Sequence, residues 1–195
     1  TNLEWDEIVY LAKISDKFER DAIQTWVLND NPLTAGGFLY TPEREQYNGA
    51  FVLVPYTNDY SDIQQFADLV LMRPEVYETP LTYQILNGTK TNYVATETMY
   101  FLGRFGFDVV RFGNAANKEV QTTRAIPVST LLAGQASEEA TQLSTVMSDF
   151  IQVGAVATEV PLEYSPAEWT TEADVILELG QDYVEWMSAN PKHFY

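Results

Sequence analysis

The sequence predicts an α/β fold, with α+β as the alternative, in two small parts. Three observations carry this. Residues 82–87 and 107–112 are apolar strand-like runs separated by a helical stripe and a glycine. A second unit of the same kind follows, with strand-like segments at 121–128 and 154–160 on either side of a helical stripe starting at Ser137. Between the two parts, residues 74–81 (Pro-Glu-Val-Tyr-Glu-Thr-Pro-Leu) hold two prolines and no helical or strand period. The expected organisation is therefore residues 1–73, a linker at 74–81, and residues 82–195. In the last part, two strand–helix–strand units form one sheet layer with helices packed on it.

Taken in order, Thr1 and Glu4 have capping-box spacing, and Trp5, Ile8, Val9 and Ala12 then share a helical face. Residues 22–28 fit a strand. Asn29 to Gly37 is a loop by its Asn-Asp-Asn-Pro and Gly-Gly content. Phe38-Leu39-Tyr40 reads as an edge strand, 41–49 as a polar connector, and 50–55 as a buried strand stopped by Pro55. Asp59 or Ser61 can cap a helix with Ile63, Phe66, Ala67 and Val70 on its inner face. It ends before Pro74, because a residue preceding proline avoids helical geometry.

In the second part, Val94, Ala95, Met99, Leu102 and Phe105 form the helical stripe, and Gly106 is a suitable stop. Strands joined through a helix should be parallel with a right-handed crossover. Ser137 caps the later helix, whose face is Ala140, Leu143, Met147, Phe150 and Ile151. In the final strand, 173–179, Val175, Leu177 and Leu179 alternate with Asp174, Ile176 and Glu178.

Composition narrows the function. Apolar residues make up 46% of the 195, enough for a genuine core. The net charge is −17, which disfavours phosphate backbones and anionic lipid, so nucleic acid is not an expected partner. There is no cysteine, which removes thiolate catalysis, disulfides and cysteine-based zinc sites. No apolar run is long enough to span a bilayer, so direct membrane insertion is not expected.

Catalytic signatures are equally sparse. The one histidine, His193, lies three residues from the end and reads as part of an exposed tail. Asn58-Asp59-Tyr60-Ser61-Asp62 reads as helix-cap chemistry rather than a cation site, and no calcium-loop or phosphate-loop spacing occurs. Neither a catalytic residue nor a metal ligand nor a cofactor is assigned. The ligand candidates are Asn87, Gly88 and Thr89, and Gly113 and Asn114, because they follow strands and open α/β sheets bind ligands there. The competing reading is that Asn-Gly merely supplies left-handed backbone for a tight turn. Trp169, Trp186, Tyr183 and Tyr195 are a candidate carbohydrate platform or simple packing.

Four segments then fall in a recognisable order: Ile85-Leu86-Asn87-Gly88-Thr89, Gly106-Phe107-Asp108-Val109-Val110, Gly113-Asn114-Ala115 and Leu179-Gly180-Gln181-Asp182-Tyr183. With them, residues 82–182 resemble the C-terminal domain of LytR-CpsA-Psr envelope proteins. The chain departs from that pattern at Asn92-Tyr93-Val94-Ala95, where the family often has Gly-Leu-Ala. Residues 1–73 more faintly resemble the tail of the family's catalytic domain, chiefly through Trp5-Asp6-Glu7-Ile8 and Val52-Leu53-Val54-Pro55.

The resemblance implies an extracytoplasmic, envelope-associated fragment of a protein that attaches glycopolymers to the cell wall. An anchor or signal is expected upstream of Thr1. The implied role of this part is non-catalytic, because the family's arginine and acidic catalytic residues precede it and Arg20, Arg44 and Arg73 sit in no such motif. Expected partners are a cell-wall glycopolymer or an envelope protein. A homodimer, or an N-terminal half docked on the C-terminal domain, is expected if the apolar segments around Ile23, Trp26, Phe51 and Leu53 lack strand partners. A small carboxylate-dependent enzyme acting on carbohydrate, or a purely structural protein–protein module, remains the alternative.

Overall fold

The structure is a computed structural model that describes residues 4–15, 24–78, 80–128, 138–157, 161–164 and 171–194. Its centre is a five-stranded mixed sheet. The strands are β3 (Thr82–Asn87), β4 (Asp108–Asn114), β5 (Arg124–Pro127), β6 (Ala155–Val156) and β7 (Val175–Leu179), in the order β4-β3-β7-β5-β6. The strand β3 runs parallel to β4 and to β7, whereas β5 is antiparallel to β7 and parallel to β6. Two strand–helix–strand units therefore lie side by side, one through helix α4 (Val94–Arg104) and one through α5 (Glu138–Ile151), with β7 inserted between them.

Helices pack on one face of this sheet for a periodic reason. Tyr83, Ile85, Ala125, Val175, Leu177 and Leu179 point to that face and meet Val94, Ala95, Phe101, Leu102 and Phe105 of the α4 segment and Leu143, Met147, Phe150 and Ile151 of α5. Tyr183 of α6 (Gln181–Ala189) completes the layer. Gly106, at φ +84°, ends the α4 turn in the left-handed geometry that glycine tolerates. Leu102 is fully buried, so Leu102→Ala should lower stability by about 2–5 kcal/mol in a urea melt. No loss would mean that the helix presents another face.

The opposite face is also covered. Leu86, Ala115, Ile126, Val128, Tyr164 and Ile176 form a second, smaller core. The alternation of β7 thus separates two buried faces, and Ile176 and Glu178 are both fully buried. Strand β5 is confined to 124–127 within the expected 121–128, and of the expected strand at 154–160 the described residues pair at Ala155–Val156, with the Ala157 amide also donating to the Ala125 carbonyl. Residues 158–160 and the Ser137 cap lie outside the described residues.

The N-terminal half departs further from expectation. Helix α1 (Trp5–Ser15) forms, but Trp5 is 77% exposed and Ile8 also faces water, while Val9 on the same face is half-buried. The Thr1 cap lies outside the described residues, as do residues 22 and 23. Residues 24–28 are not a strand. Among the described residues no neighbour pairs with them as a strand, and Trp26 instead turns onto Tyr77 and Phe66, at ring-centroid distances of 4.5 and 5.5 Å. The expected buried strand at 50–55 shrinks to β2 (Val54–Pro55), antiparallel to β1 (Leu39–Tyr40). A partner of two residues cannot hold a longer strand, and Phe51 and Leu53 remain exposed.

Helix α2 (Ser61–Met72) buries Asp62, Phe66 and Leu69, while Ala67 faces water. The short helix α3 (Glu75–Glu78) lies within 74–81 and buries Val76. Phe105 joins the halves: it meets Phe38 at 4.8 Å and Phe66 at 6.3 Å from the N-terminal side, and Phe150 at 4.5 Å from α5. Tyr77 donates its hydroxyl to the Phe105 carbonyl at 2.6 Å, and the Gly36 amide donates to the Arg104 carbonyl at 2.8 Å.

Candidate functional site

Parallel strands β3 and β4 end together, and the loops leaving them frame a cleft of about 570 Å³. The first loop is built by Asn87. Its Oδ1 accepts from the Thr89 amide at 2.9 Å and the Thr89 hydroxyl at 2.8 Å, while its Nδ2 donates to the Thr91 carbonyl at 2.7 Å. This Asn side chain mimics a backbone turn and leads the chain toward α4.

Gly88 serves close approach rather than a left-handed turn. The left-handed non-glycine residue here is Tyr93, at φ +66°. A Cβ on Gly88 would lie 2.6 Å from the Val120 side chain and 2.9 Å from the Leu179 carbonyl. The Gly88 amide donates to that carbonyl at 2.9 Å, and the Gly88 carbonyl accepts from the Val120 amide at 3.0 Å. The glycine lets the end of β7 and the 118–120 loop close against β3.

The late Leu179-Gly180-Gln181-Asp182-Tyr183 segment locks the same junction. Asp182 Oδ1 accepts from the Thr123 amide at 2.9 Å, the Thr123 hydroxyl at 2.7 Å and the Tyr183 amide at 2.8 Å. A Cβ on Gly180 would come within 2.7 Å of the Thr122 backbone.

The second loop supplies charge. Lys118 Nζ donates to the Asn114 Oδ1 at 2.6 Å and to the Asn87 carbonyl at 2.8 Å, tying the two loops together. Partial desolvation pushes its pKa below the ordinary lysine range. Lys90 is paired with Glu119 at 2.8 Å, but both are exposed and such a pair contributes about 0–1 kcal/mol. Gly113 leaves open space where a Cβ would sit. Tyr93 is 75% exposed and Phe112 partly so, and both border the cleft with Asn92 and Thr96. A left-handed tyrosine stores strain of roughly 1–3 kcal/mol.

Of the five sequence candidates, Asn87, Thr89, Gly113 and Asn114 line one cleft, and Gly88 sits behind it against Val120. Asn87 is fully engaged in shaping the loop, so it positions the wall. Sequence reasoning missed Lys118 and Tyr93. The only sequence signal for Lys118 was its place just after Gly113-Asn114, and Tyr93 stood at the departure from the family pattern.

Other candidates lie elsewhere. His193 is not on an exposed tail: its Nδ1 is 2.6 Å from Asp62 Oδ1, and its ring lies parallel to Trp186. The tail folds back because Phe194 packs on Phe101 at 5.0 Å. Tyr183 is core and Trp186 packs against it, while Trp169 and Tyr195 lie outside the described residues. Asp59 accepts from the Ser61 amide at 2.9 Å, but from one residue ahead of the cap position, since the N-cap of α2 is Tyr60, which makes no side-chain cap bond. The Ser61 hydrogen bonds hold the Asp59 carboxyl well below the usual carboxylate range.

A family model described as LytR cell envelope-related transcriptional attenuator matches residues 81–183. The match takes in β3, the cleft loops, and the chain as far as Tyr183. The chain belongs to this LytR family. It contains the family's C-terminal domain, a cell-envelope domain. No curated protein and no solved structure matches the chain. No helix among the described residues of this LytR-family chain is long and apolar enough to cross a membrane.

Proposed function

We propose that this chain is a non-catalytic accessory part of an extracytoplasmic LytR-CpsA-Psr-like protein, and that it binds a cell-wall glycopolymer during attachment to the wall. The observation that carries this reading is the cleft at the ends of β3 and β4. Its lining is amide, hydroxyl, aromatic and lysine groups, a set suited to holding a sugar chain by hydrogen bonds and ring stacking. Asn87 and Thr89 with Gly113 and Asn114 line it, and Gly88 backs it against Val120. No carboxylate lines it, so the paired acids that glycoside hydrolysis needs have no support there.

The lining has no arginine either. Pyrophosphate transfer requires cationic groups aimed at the charge that develops on the phosphoryl oxygens. The purified chain should therefore leave a polyprenyl-pyrophosphate sugar analogue intact over many hours. Turnover that disappears on replacing one arginine would overturn the non-catalytic reading.

A protein–protein role is the second reading. It is favoured by one observation: Trp5, Tyr10, Phe51, Leu53, Leu71 and Met72 are all exposed large apolar residues in the N-terminal half.

A further inference from the structure

Lys118 has an unusual position in this acidic chain. It is partly withdrawn from water and makes no ion pair among the described residues. Its two hydrogen-bond partners are neutral, the Asn87 carbonyl and the Asn114 side chain. An ammonium group has three N–H donors, so one remains to be satisfied. The other cleft lysine, Lys90, is already matched by Glu119. A chain of net charge −17 thus presents a pocket with an unmatched cation and no lining carboxylate.

Lining the same cleft as Lys118, the exposed side chains of Tyr93 and Phe112 offer apolar faces, and Thr91, Asn92 and Thr96 offer hydroxyl and amide groups. We infer that the cleft selects an acidic sugar, with the anionic substituent on Lys118 and the sugar ring against Tyr93. This rests on the cleft being the binding site and adds the ligand's charge and the two residues that read it. An anion at Lys118 restores the interactions its ammonium loses on leaving water. A pyranose ring presents C–H groups that pack on an aromatic face, and its hydroxyls match the Thr and Asn groups. The strained backbone at Tyr93 holds that ring out at the mouth rather than folded onto the protein.

The test is an amide NMR titration of the full chain with four probes: glucose, glucuronate, glucose 6-phosphate and inorganic phosphate. Both acidic sugars should shift amides in residues 87–96 and 112–118, with Kd values at least about tenfold below that of glucose, and the preference should weaken with added salt. Lys118→Arg should retain the preference and Lys118→Met should abolish it. Tyr93→Ala should weaken all three sugars several-fold. The Tyr93 side chain is three-quarters exposed and in no core cluster of the described residues, so this variant stays informative if Lys118→Met unfolds.

Comparison of glucuronate with glucose 6-phosphate identifies whether carboxylate or phosphate is the preferred anion. Equal affinity for glucose and the acidic sugars would overturn the acidic-sugar inference while leaving glycopolymer binding intact. Inorganic phosphate binding as tightly as glucose 6-phosphate would overturn the role of Tyr93. No cleft shift with any of these probes, combined with shifts there from a longer neutral glycan, would also overturn it. No cleft shift with any glycan would remove the binding reading itself.

Discussion

Replacing Arg124 with Ala should destabilise the chain by about 3 kcal/mol or more, at the lower end of the range for breaking a buried ion pair. Glu178 is fully buried, and Arg124 Nε donates to its Oε2 at 2.8 Å. Tyr164 donates its hydroxyl to Glu178 Oε1, and the Arg124 Nη2 also pairs with Oε2. Burial and this carboxylate push the Tyr164 phenol well above its usual range. Removing Arg124 leaves a buried carboxylate with one neutral donor.

The reverse change is milder. Arg124 reaches water and keeps Glu163 at 3.6 Å, so Glu178→Gln leaves its guanidinium partly satisfied. A paired Arg124→Leu and Glu178→Leu variant should recover much of the Arg124→Ala loss, since apolar replacement of such a pair is often tolerated. Chemical denaturation of the four proteins gives the ordering. Equal losses for Arg124→Ala and Glu178→Gln would mean that the pair is solvated in solution.

Phe105→Ala should cost about 3–5 kcal/mol and do more than open a cavity. Phe105 is fully buried and touches Phe38, Phe66, Phe101 and Phe150. Two of these come from the N-terminal half, which is also held by Trp26, Tyr77, the Gly36–Arg104 backbone bond, and the His193–Asp62 and Lys192–Asp59 contacts. The variant should therefore raise amide exchange in 24–78 well before exchange rises in β3 and β7. Uniform loss of protection across the chain would show that the two halves unfold as one unit.

These two sites mark where sequence reading worked and where it failed. The β3–α4–β4 unit was legible because its helical period is strong, Gly106 stops the helix at positive φ, and β3 is an apolar, buried strand. The loop after β3 stood out in the sequence because Asn-Gly at a strand end invites either a ligand or a tight turn. Its glycine has a different physical cause from the one expected, since the crowding comes from Val120 and Leu179, far away in sequence.

Glu178 read as one of the residues opposite an apolar face. The partners that bury it, Arg124 and Tyr164, arrive from a strand and a turn whose placement no local pattern encodes. Lys118 was invisible for the same reason. In the N-terminal half the error was of kind: 24–28 and 50–55 have strand composition, but a strand needs a neighbour, and among the described residues there the one pairing is Leu39–Tyr40 with Val54–Pro55. Their aromatic residues were spent differently, Trp26 on the shared core and Phe51 on the surface.

The most direct test of the account is an amide NMR map of the chain with glycopolymer released from a purified cell wall. Shifts confined to residues 87–96 and 112–118, the two loops tied by Lys118, are the predicted result. Shifts gathered instead on the exposed Trp5, Phe51 and Leu71 regions, or none with any envelope polymer, would contradict a glycopolymer-binding cleft.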